Sequence, residues 1–330
     1  MKAVVNTAAG GPEVLAIRDV EKPVPAPAEV LIEVKASALN RADLLQRQGK
    51  YPAPPDSPQD IPGIEFAGVV SAAGPKARLW RVGQRVFGIA GGGAHAEFIT
   101  AHERSLAEIP ANLSWSEAAA VPEAFITAHD ALWKQAGLRP GESVLIHAVG
   151  SGVGLAAVQL ARALGAVPFG TSRSKDKIDR SKSFGLQEGY IISGSADEMK
   201  EVAKTATGGR GFDVVLDLVG GPYAGASVAA LAPRGRLLLV GTVGGRNSDF
   251  DLGQILGKRL TIIGTVLRAR ALEEKILVAK AFAAEVIPLF ANGKLRPVID
   301  SEFDLIEVLA AHVRLESNQT FGKVVIRVAK

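Results

Sequence analysis

The stretch Ser143-Val144-Leu145-Ile146-His147-Ala148-Val149-Gly150-Ser151-Gly152-Val153-Gly154 decides the fold. Val144 to Ile146 form an apolar strand candidate, and the glycine-rich segment after it reads as a turn. Leu155, Val158, Leu160, Ala161 and Leu164 then recur at helical spacing until Gly165 ends the pattern. A second short strand, Val167 to Thr171, runs into Ser172-Arg173-Ser174-Lys175. Strand, glycine turn, helix and strand in this order is the βαβ setting that gives such a turn meaning. Glycines let the backbone approach a pyrophosphate, and a helix N-terminus offers N–H groups and partial positive charge. Val149 and Ser151 stand where the first two glycines of G-x-G-x-x-G would fall, and only Gly154 keeps its place. Taken alone, the turn therefore also reads as an ordinary tight strand-to-helix connection.

The tip of the second strand adds information. A site for NAD places Asp or Glu there to bind the ribose 2′-hydroxyl. Here the positions read Thr171-Ser172-Arg173-Ser174-Lys175-Asp176-Lys177, with hydroxyls and cations at the tip and no acid. Arg can hold a 2′-phosphate by paired hydrogen bonds, so this end favours NADPH over NADH. Ser172 or Ser174 also suits the N-cap of the next helix.

Working outward, the chain of 330 residues is long enough for two domains. A net charge of +4 spread over that length is too dilute to point to nucleic acid. The absence of cysteine excludes disulfides, Cys-ligated zinc and thiol nucleophiles. The N-terminus does not read as a signal peptide, and no apolar run approaches a membrane span. The expectation is a soluble cytoplasmic protein with no membrane partner.

Before the glycine turn, residues 1 to about 100 read as short strands with closely spaced turns, which suggests a small barrel. Asn40 to Gln48 reads as a helix, and Tyr51-Pro52-Ala53-Pro54-Pro55 as a loop. Helices are expected over about Ala124–Gln135 and Leu272–Leu289. Strand candidates Val144–His147, Val167–Thr171, Gly189–Ile192, Val214–Asp217, Leu237–Gly241 and Leu260–Gly264 alternate with helices. Six such strands make a doubly wound parallel sheet, giving an α/β fold class with a Rossmann domain. The last strand, around Lys323 to Val328, is expected to close the first domain. The domains are thus 1–123, 124–266 for the nucleotide and a return segment 267–330.

The five histidines, His95, His102, His129, His147 and His312, are scattered, and none pairs at i, i+4. They read as surface or satisfied polar residues, and no metal site is expected. No G-x-S-x-G elbow supports a hydrolase triad. With a nicotinamide the cofactor carries the chemistry, and the protein must supply orientation and a proton. Tyr51 is the candidate proton source, with a pocket wall as its alternative role.

The chain resembles the medium-chain dehydrogenase/reductase superfamily, and within it the zinc-independent quinone oxidoreductase branch. The resemblance rests on Ala38 to Tyr51, Pro62-Gly63-Ile64-Glu65-Phe66-Ala67-Gly68, Ala118 to Glu123, His147 to Gly154 and Gly241 to Arg246. It implies that the barrel is a discontinuous GroES-like β-barrel domain. Zinc-dependent members carry a cysteine where this chain has Asn40 and a histidine where it has Ile64; of that motif only Glu65 remains. The resemblance implies Asn40 and Tyr51 as catalytic residues, with Asn40 hydrogen-bonding near the nicotinamide and Thr127 under its ring. It places Gly152 and Val153 on the pyrophosphate within the cofactor-binding turn Gly150-Ser151-Gly152-Val153. Ser172, Arg173 and Lys177, beside Thr171, would hold the 2′-phosphate. Gly241, Thr242, Val243, Val266 and Leu267 would line the nicotinamide half, and Asn318 would reach the cofactor from the C-terminal segment.

The function expected is NADPH-dependent hydride transfer to a quinone or enone, without zinc. A 2-enoyl thioester reductase is the alternative, with Arg268 and Arg270 either guiding its acyl carrier or standing as solvated charges at a helix start. A nucleotide-sensing binding protein with low turnover is the alternative of another class. RNA binding is disfavoured because no basic stripe interleaves with aromatics. Finally, the apolar strand Leu260–Val266 should lie at a sheet edge, and pairing with its own copy would give a homodimer.

Overall fold

The computed structural model describes residues 1–328. The chain divides into two units, Met1–Ile126 together with the chain from Leu267 onward, and Thr127–Val266. Among the described residues no helix is long and apolar enough to cross a membrane.

The unit Thr127–Val266 is built on six parallel strands. Across the sheet they run Glu188–Ile191, Val167–Ser172, Ser143–Ile146, Phe212–Asp217, Leu231–Leu239 and Thr261–Gly264. The first strand in the chain lies in the interior, and the winding reverses between it and Phe212–Asp217. A ligand crevice opens at such a reversal, outside the carboxyl ends of the strands. Val144, Leu145 and Ile146 are each 0% exposed, because helices cover both faces of a parallel sheet. On one face Leu145, Phe169, Met199, Phe212, Val215 and Leu237 pack into one cluster. The expected sheet is therefore present, its strand ends within two residues of expectation, except that the strand expected from Leu237 begins at Leu231. Among the described residues the strand Thr261–Gly264 pairs only with Leu231–Leu239 and ends the sheet, and Ile262 on it is 36% exposed.

In the other unit the eleven-residue strand Glu29–Leu39 is central. On one side it pairs antiparallel with Glu65–Ala73, and two register shifts there bend it. On the other side Glu29–Glu33 pair with Phe98–His102, whereas Ala36–Leu39 pair with the C-terminal strand Lys323–Arg327. Val30, Ile32 and Val34, at alternate positions, are buried against Phe66, Val70 and Val86. The register Val324↔Leu39 brings Lys323 to the end of the central strand, beside Asn40.

Two helices differ from expectation. The one expected over Leu272–Leu289 is two, Leu272–Glu285 and Ile287–Ala291. Pro288 lacks an N–H and its ring would strike the carbonyl one turn back, so the first helix stops before it. The one expected over Ala124–Gln135 begins at Pro122 and passes into a π-helix, Asp130–Gln135. There Ala136 N–H donates to Ala131 O five residues back, at 2.9 Å.

Candidate functional site

In the nucleotide unit the glycine turn leaves the sheet at the winding reversal. Ala148 takes φ 50°, a left-handed position for a residue with a Cβ. Ser151 caps the helix Gly152–Leu164, its Oγ accepting from Gly154 N–H at 3.1 Å. Leu155 N–H donates to Ser151 O at 2.9 Å, so the N–H groups of Gly152 and Val153 remain at the helix tip for an anion. A Cβ on Gly154 would lie 2.6 Å from Ala148 O, so only glycine lets helix and turn pack this closely. Gly150 lies against the aliphatic stem of Lys177, where a Cβ would fall 3.0 Å from its Cβ. A backbone cradle with a lysine across it fits a dinucleotide phosphate.

At the second strand's tip the two hydroxyls part company. Thr171 is 1% exposed, and its Oγ1 lies 2.8 Å from His147 Nδ1, turned into the core rather than toward a ligand. Ser172 Oγ accepts from Ser174 N–H at 3.1 Å, and Ser174 is the cap of the helix Lys175–Lys182. Arg173 is exposed, and Lys177 is partly buried. Arg173 is close enough to Tyr223 to draw its hydroxyl downward, against the larger upward push of burial.

The sequence alone assigns Tyr223 no role. Its hydroxyl donates to Ile192 O at 3.1 Å, and its ring meets His147 edge-on at 5.2 Å. Its signal was available in Gly220-Gly221-Pro222-Tyr223, a turn entering a helix after the strand Phe212–Asp217. Ser227 Oγ donates to Tyr223 O, so toward His147 Nε2, 2.9 Å away, it accepts. His147 is thus held neutral with the proton on Nε2, and burial takes its pKa down to about 4. Four of the five histidines are 0% exposed, so of the two expected settings, surface or satisfied polar, the surface one is left only for His102.

Thr127, 7% exposed, lies on the helix Pro122–His129. Gly241, Thr242 and Val243 form the loop after Leu231–Leu239, with Val243 58% exposed. That loop packs backbone to backbone on the preceding one: a Cβ on Gly220, at φ 71°, would lie 2.6 Å from Gly241 O. Val266 is exposed at the end of this unit, and Leu267, the first residue of the returning chain, is buried.

In the first unit Asn40, Glu65 and Lys323 form one buried network. Lys323 Nζ donates to Leu39 O at 3.0 Å, Asn40 Oδ1 at 2.5 Å and Glu65 Oε1 at 2.6 Å. Asn40 Nδ2 donates to Glu65 Oε1 at 2.7 Å, and Glu123 N–H to Glu65 Oε2 at 2.8 Å. Burial pushes the Glu65 carboxyl upward, and Lys323 is the main influence opposing it. Every partner of Glu65 is a donor, so a protonated carboxyl would find no acceptor, and the group is a carboxylate. Asn40 is also the N-cap of the helix Arg41–Arg47, its N–H donating to Asp43 Oδ2 at 2.7 Å. Ile64 is 2% exposed. Among the described residues no three His, Asp or Glu side chains gather where a metal ion could sit.

Tyr51 follows that helix in the proline loop and is half-buried. Burial raises its hydroxyl pKa; Arg268 draws it down and Glu123 pushes it further up. Arg268, weighed in the sequence as a solvated charge at a helix start, is 5% exposed. Asn318, at φ 60°, accepts from Arg41 Nη2 through Oδ1 and is exposed.

Comparison with known proteins agrees with this architecture. The alcohol dehydrogenase GroES-like domain family matches residues 26–111, and the zinc-binding dehydrogenase family matches residues 152–286. A quinone oxidoreductase of Pseudomonas aeruginosa is 34% identical, over 98% of this chain and 99% of its own length. The pikromycin polyketide synthase component of Streptomyces venezuelae is 34% identical over 91% of this chain, and the chain spans only 8% of that synthase. A mycobacterial protein solved in complex with NADPH superposes with a TM-score of 0.90 at 29% identity, covering 99% of this chain and all of that one. Two domain families in the right order, with full-length relatives above 30% identity, place the chain in the medium-chain dehydrogenase/reductase superfamily of nicotinamide-dependent oxidoreductases, to which it belongs.

Proposed function

We propose that the protein is an NADPH-dependent reductase that delivers hydride to quinones or other electron-poor enones without zinc. The observation that carries this reading is the Lys323 ammonium seated on Glu65 and Asn40. Asn40 and Ile64, the neighbour of Glu65, are the positions at which zinc-dependent relatives would gather ligands. A fixed cation there repels a divalent ion and already satisfies the one carboxylate left. Without a metal to polarise an alcohol or carbonyl oxygen, acceptors that need little activation fit best. Quinones and enones are such acceptors.

NADPH, when bound, supplies the hydride. The helix tip at Gly152 and Val153 would bind its pyrophosphate, and Arg173 and Lys177 its 2′-phosphate. Tyr51 is the candidate that gives a proton to the reduced acceptor. NADPH is accordingly expected to bind much more tightly than NADH. Removing one charge-assisted phosphate contact by Arg173→Ala should cost about 1.5–3 kcal/mol, roughly ten- to a hundredfold in NADPH affinity. Titration of the intact protein with both nucleotides checks this, and equal dissociation constants would sink it.

Reduction of 2-enoyl thioesters is the second reading, favoured by the polyketide synthase relative at 34% identity. Against it, Arg268 is turned inward and does not offer its charge to an acyl carrier's phosphate. NADPH consumption with a panel of quinones, enones and enoyl thioesters separates these readings. Binding of NADPH with no turnover on any of them would favour the nucleotide sensor instead.

The reading also includes a homodimer through residues 260–266. The strand Thr261–Gly264 carries no charge or proline and is uncovered on its outer edge. Pairing of two copies would remove an apolar edge that otherwise invites aggregation. Light scattering should give a dimer at micromolar concentration, and Ile263→Pro should shift it toward monomer. A native monomer would refute the dimer, and an unaltered dimer in the variant would refute the strand's part in it.

A further inference from the structure

We propose that Arg268 is a positioning residue that clamps the Tyr51 loop and presents a positive charge to the Tyr51 ring during proton transfer. The inference rests on the functional reading above for its chemical meaning, and on geometry for its structural content.

Arg268 stands one residue after the chain re-enters the first unit. Its guanidinium spans three separate segments of that unit. Nε donates to Gly91 O at 2.7 Å, Nη1 to Tyr51 O at 3.3 Å, and Nη2 to Gln46 Oε1. Gln46 lies on the helix that Asn40 caps, so one side chain ties that helix, the tyrosine loop and the chain at Gly91 together. The guanidinium carbon sits 5.1 Å from the Tyr51 ring centre. The three acceptors are two backbone carbonyls and an amide oxygen, all neutral. A buried cation normally needs an anion in direct contact to offset its desolvation. Here the carboxylates of Asp43 and Glu123 act on it only through space. The charge is therefore left to face the ring rather than being cancelled in an ion pair.

That arrangement suits a tyrosine that must give up a proton. Hydride arrival leaves the acceptor as an enolate or hydroquinone anion. The Tyr51 O–H bond then breaks, its proton goes to that anion and its electron pair stays on the phenolate oxygen, which solvent reprotonates. The charge of Arg268 stabilises the developing phenolate, while Glu123 opposes it. A planar fork with fixed donors also holds the loop more firmly than a single ammonium could.

The chain has only three tyrosines, Tyr51, Tyr190 and Tyr223, so fluorotyrosine labelling gives three fluorine resonances, of which Tyr51→Phe assigns one. In Arg268→Gln the Tyr51 resonance should move, and its titration midpoint should rise because the neighbouring positive charge is gone. Those of Tyr190 and Tyr223, both in the other unit, should stay in place. Turnover with an enone should fall roughly ten- to a hundredfold from misplacement of the acid, with the NADPH dissociation constant unchanged. Arg268→Lys keeps the charge and loses the fork, so it should keep the midpoint near the native value, broaden the resonance and recover part of the turnover. A Tyr51 resonance and midpoint identical to native in Arg268→Gln would overturn the proposal. Should that variant not fold, an unchanged Tyr51 resonance in Arg268→Lys would overturn the clamp. The resonances need no catalysis, so a wild-type protein inert toward every acceptor would count against the functional reading while the fluorine spectra still decide the clamp.

Discussion

Exchanging Lys323 for Met is expected to destabilise the protein by about 3–5 kcal/mol, the usual cost of stranding one member of a buried ion pair. Lys323 is 5% exposed and Glu65 is 0% exposed, and the ammonium places its three donors on Leu39 O, Asn40 Oδ1 and Glu65 Oε1. Without it the carboxylate keeps only Asn40 Nδ2 and the Glu123 N–H. Glu65 must then remain as an unpaired buried charge or take up a proton, while Leu39 O and Asn40 Oδ1 lose the ammonium donor. Adding Glu65→Gln to the same chain should recover a substantial part of the loss, since the uncompensated charge is then gone. Urea denaturation of the native protein, both single variants and the double variant measures the coupling. Strictly additive losses would show that the pair does not act as a unit.

The second large effect concerns Tyr51. Tyr51→Phe keeps the ring over Arg268 and removes only the hydroxyl. A general acid contributes roughly 10²–10⁴-fold, and a loss in that range is expected for an enone or enoyl thioester, whose carbon must be protonated. For a quinone the loss should be small, because a hydroquinone anion takes its proton readily from water. Steady-state turnover of both acceptor classes tests the difference. An equal rate for native and variant with every acceptor would reduce Tyr51 to a pocket wall.

The parallel sheet was legible because each of its strands is a short apolar run between turn residues. Val144-Leu145-Ile146 can be nothing but a strand covered on both faces once a glycine turn and an amphipathic helix follow it. The edge position of Thr261–Gly264 followed from chain order, since the last strand of a doubly wound sheet has no later partner. What stayed hidden was long-range. Lys323 reads as an ordinary basic residue before a strand, and only the register Val324↔Leu39 seats it beside Asn40. Arg268, next to Arg270 and ahead of Leu272-Glu273-Glu274, has the local sequence of a solvated helix start, yet its side chain turns inward to oxygens on three other segments. The π-helix Asp130–Gln135 had no local signal either. It keeps Asp130 buried while Gln135 Nε2 bridges Asp130 Oδ2 and Thr265 Oγ1, at 2.5 and 2.7 Å, and Thr265 is 130 residues further on. Thr171 and Ser172 show the same limit at short range. Adjacent hydroxyls on a strand point to opposite faces, and sequence alone did not say which of the two His147 would take.

The most direct measurement is NADPH oxidation by the purified protein after prolonged treatment with a strong chelator, with a quinone as acceptor and metal content determined on the same sample. Full retention of a quinone-dependent rate in metal-free protein, with NADH a much poorer donor, is the result expected if Lys323 has taken the metal's place and Arg173 and Lys177 hold the 2′-phosphate. Stoichiometric zinc in the untreated protein, with turnover lost on its removal and regained on its return, would contradict the account.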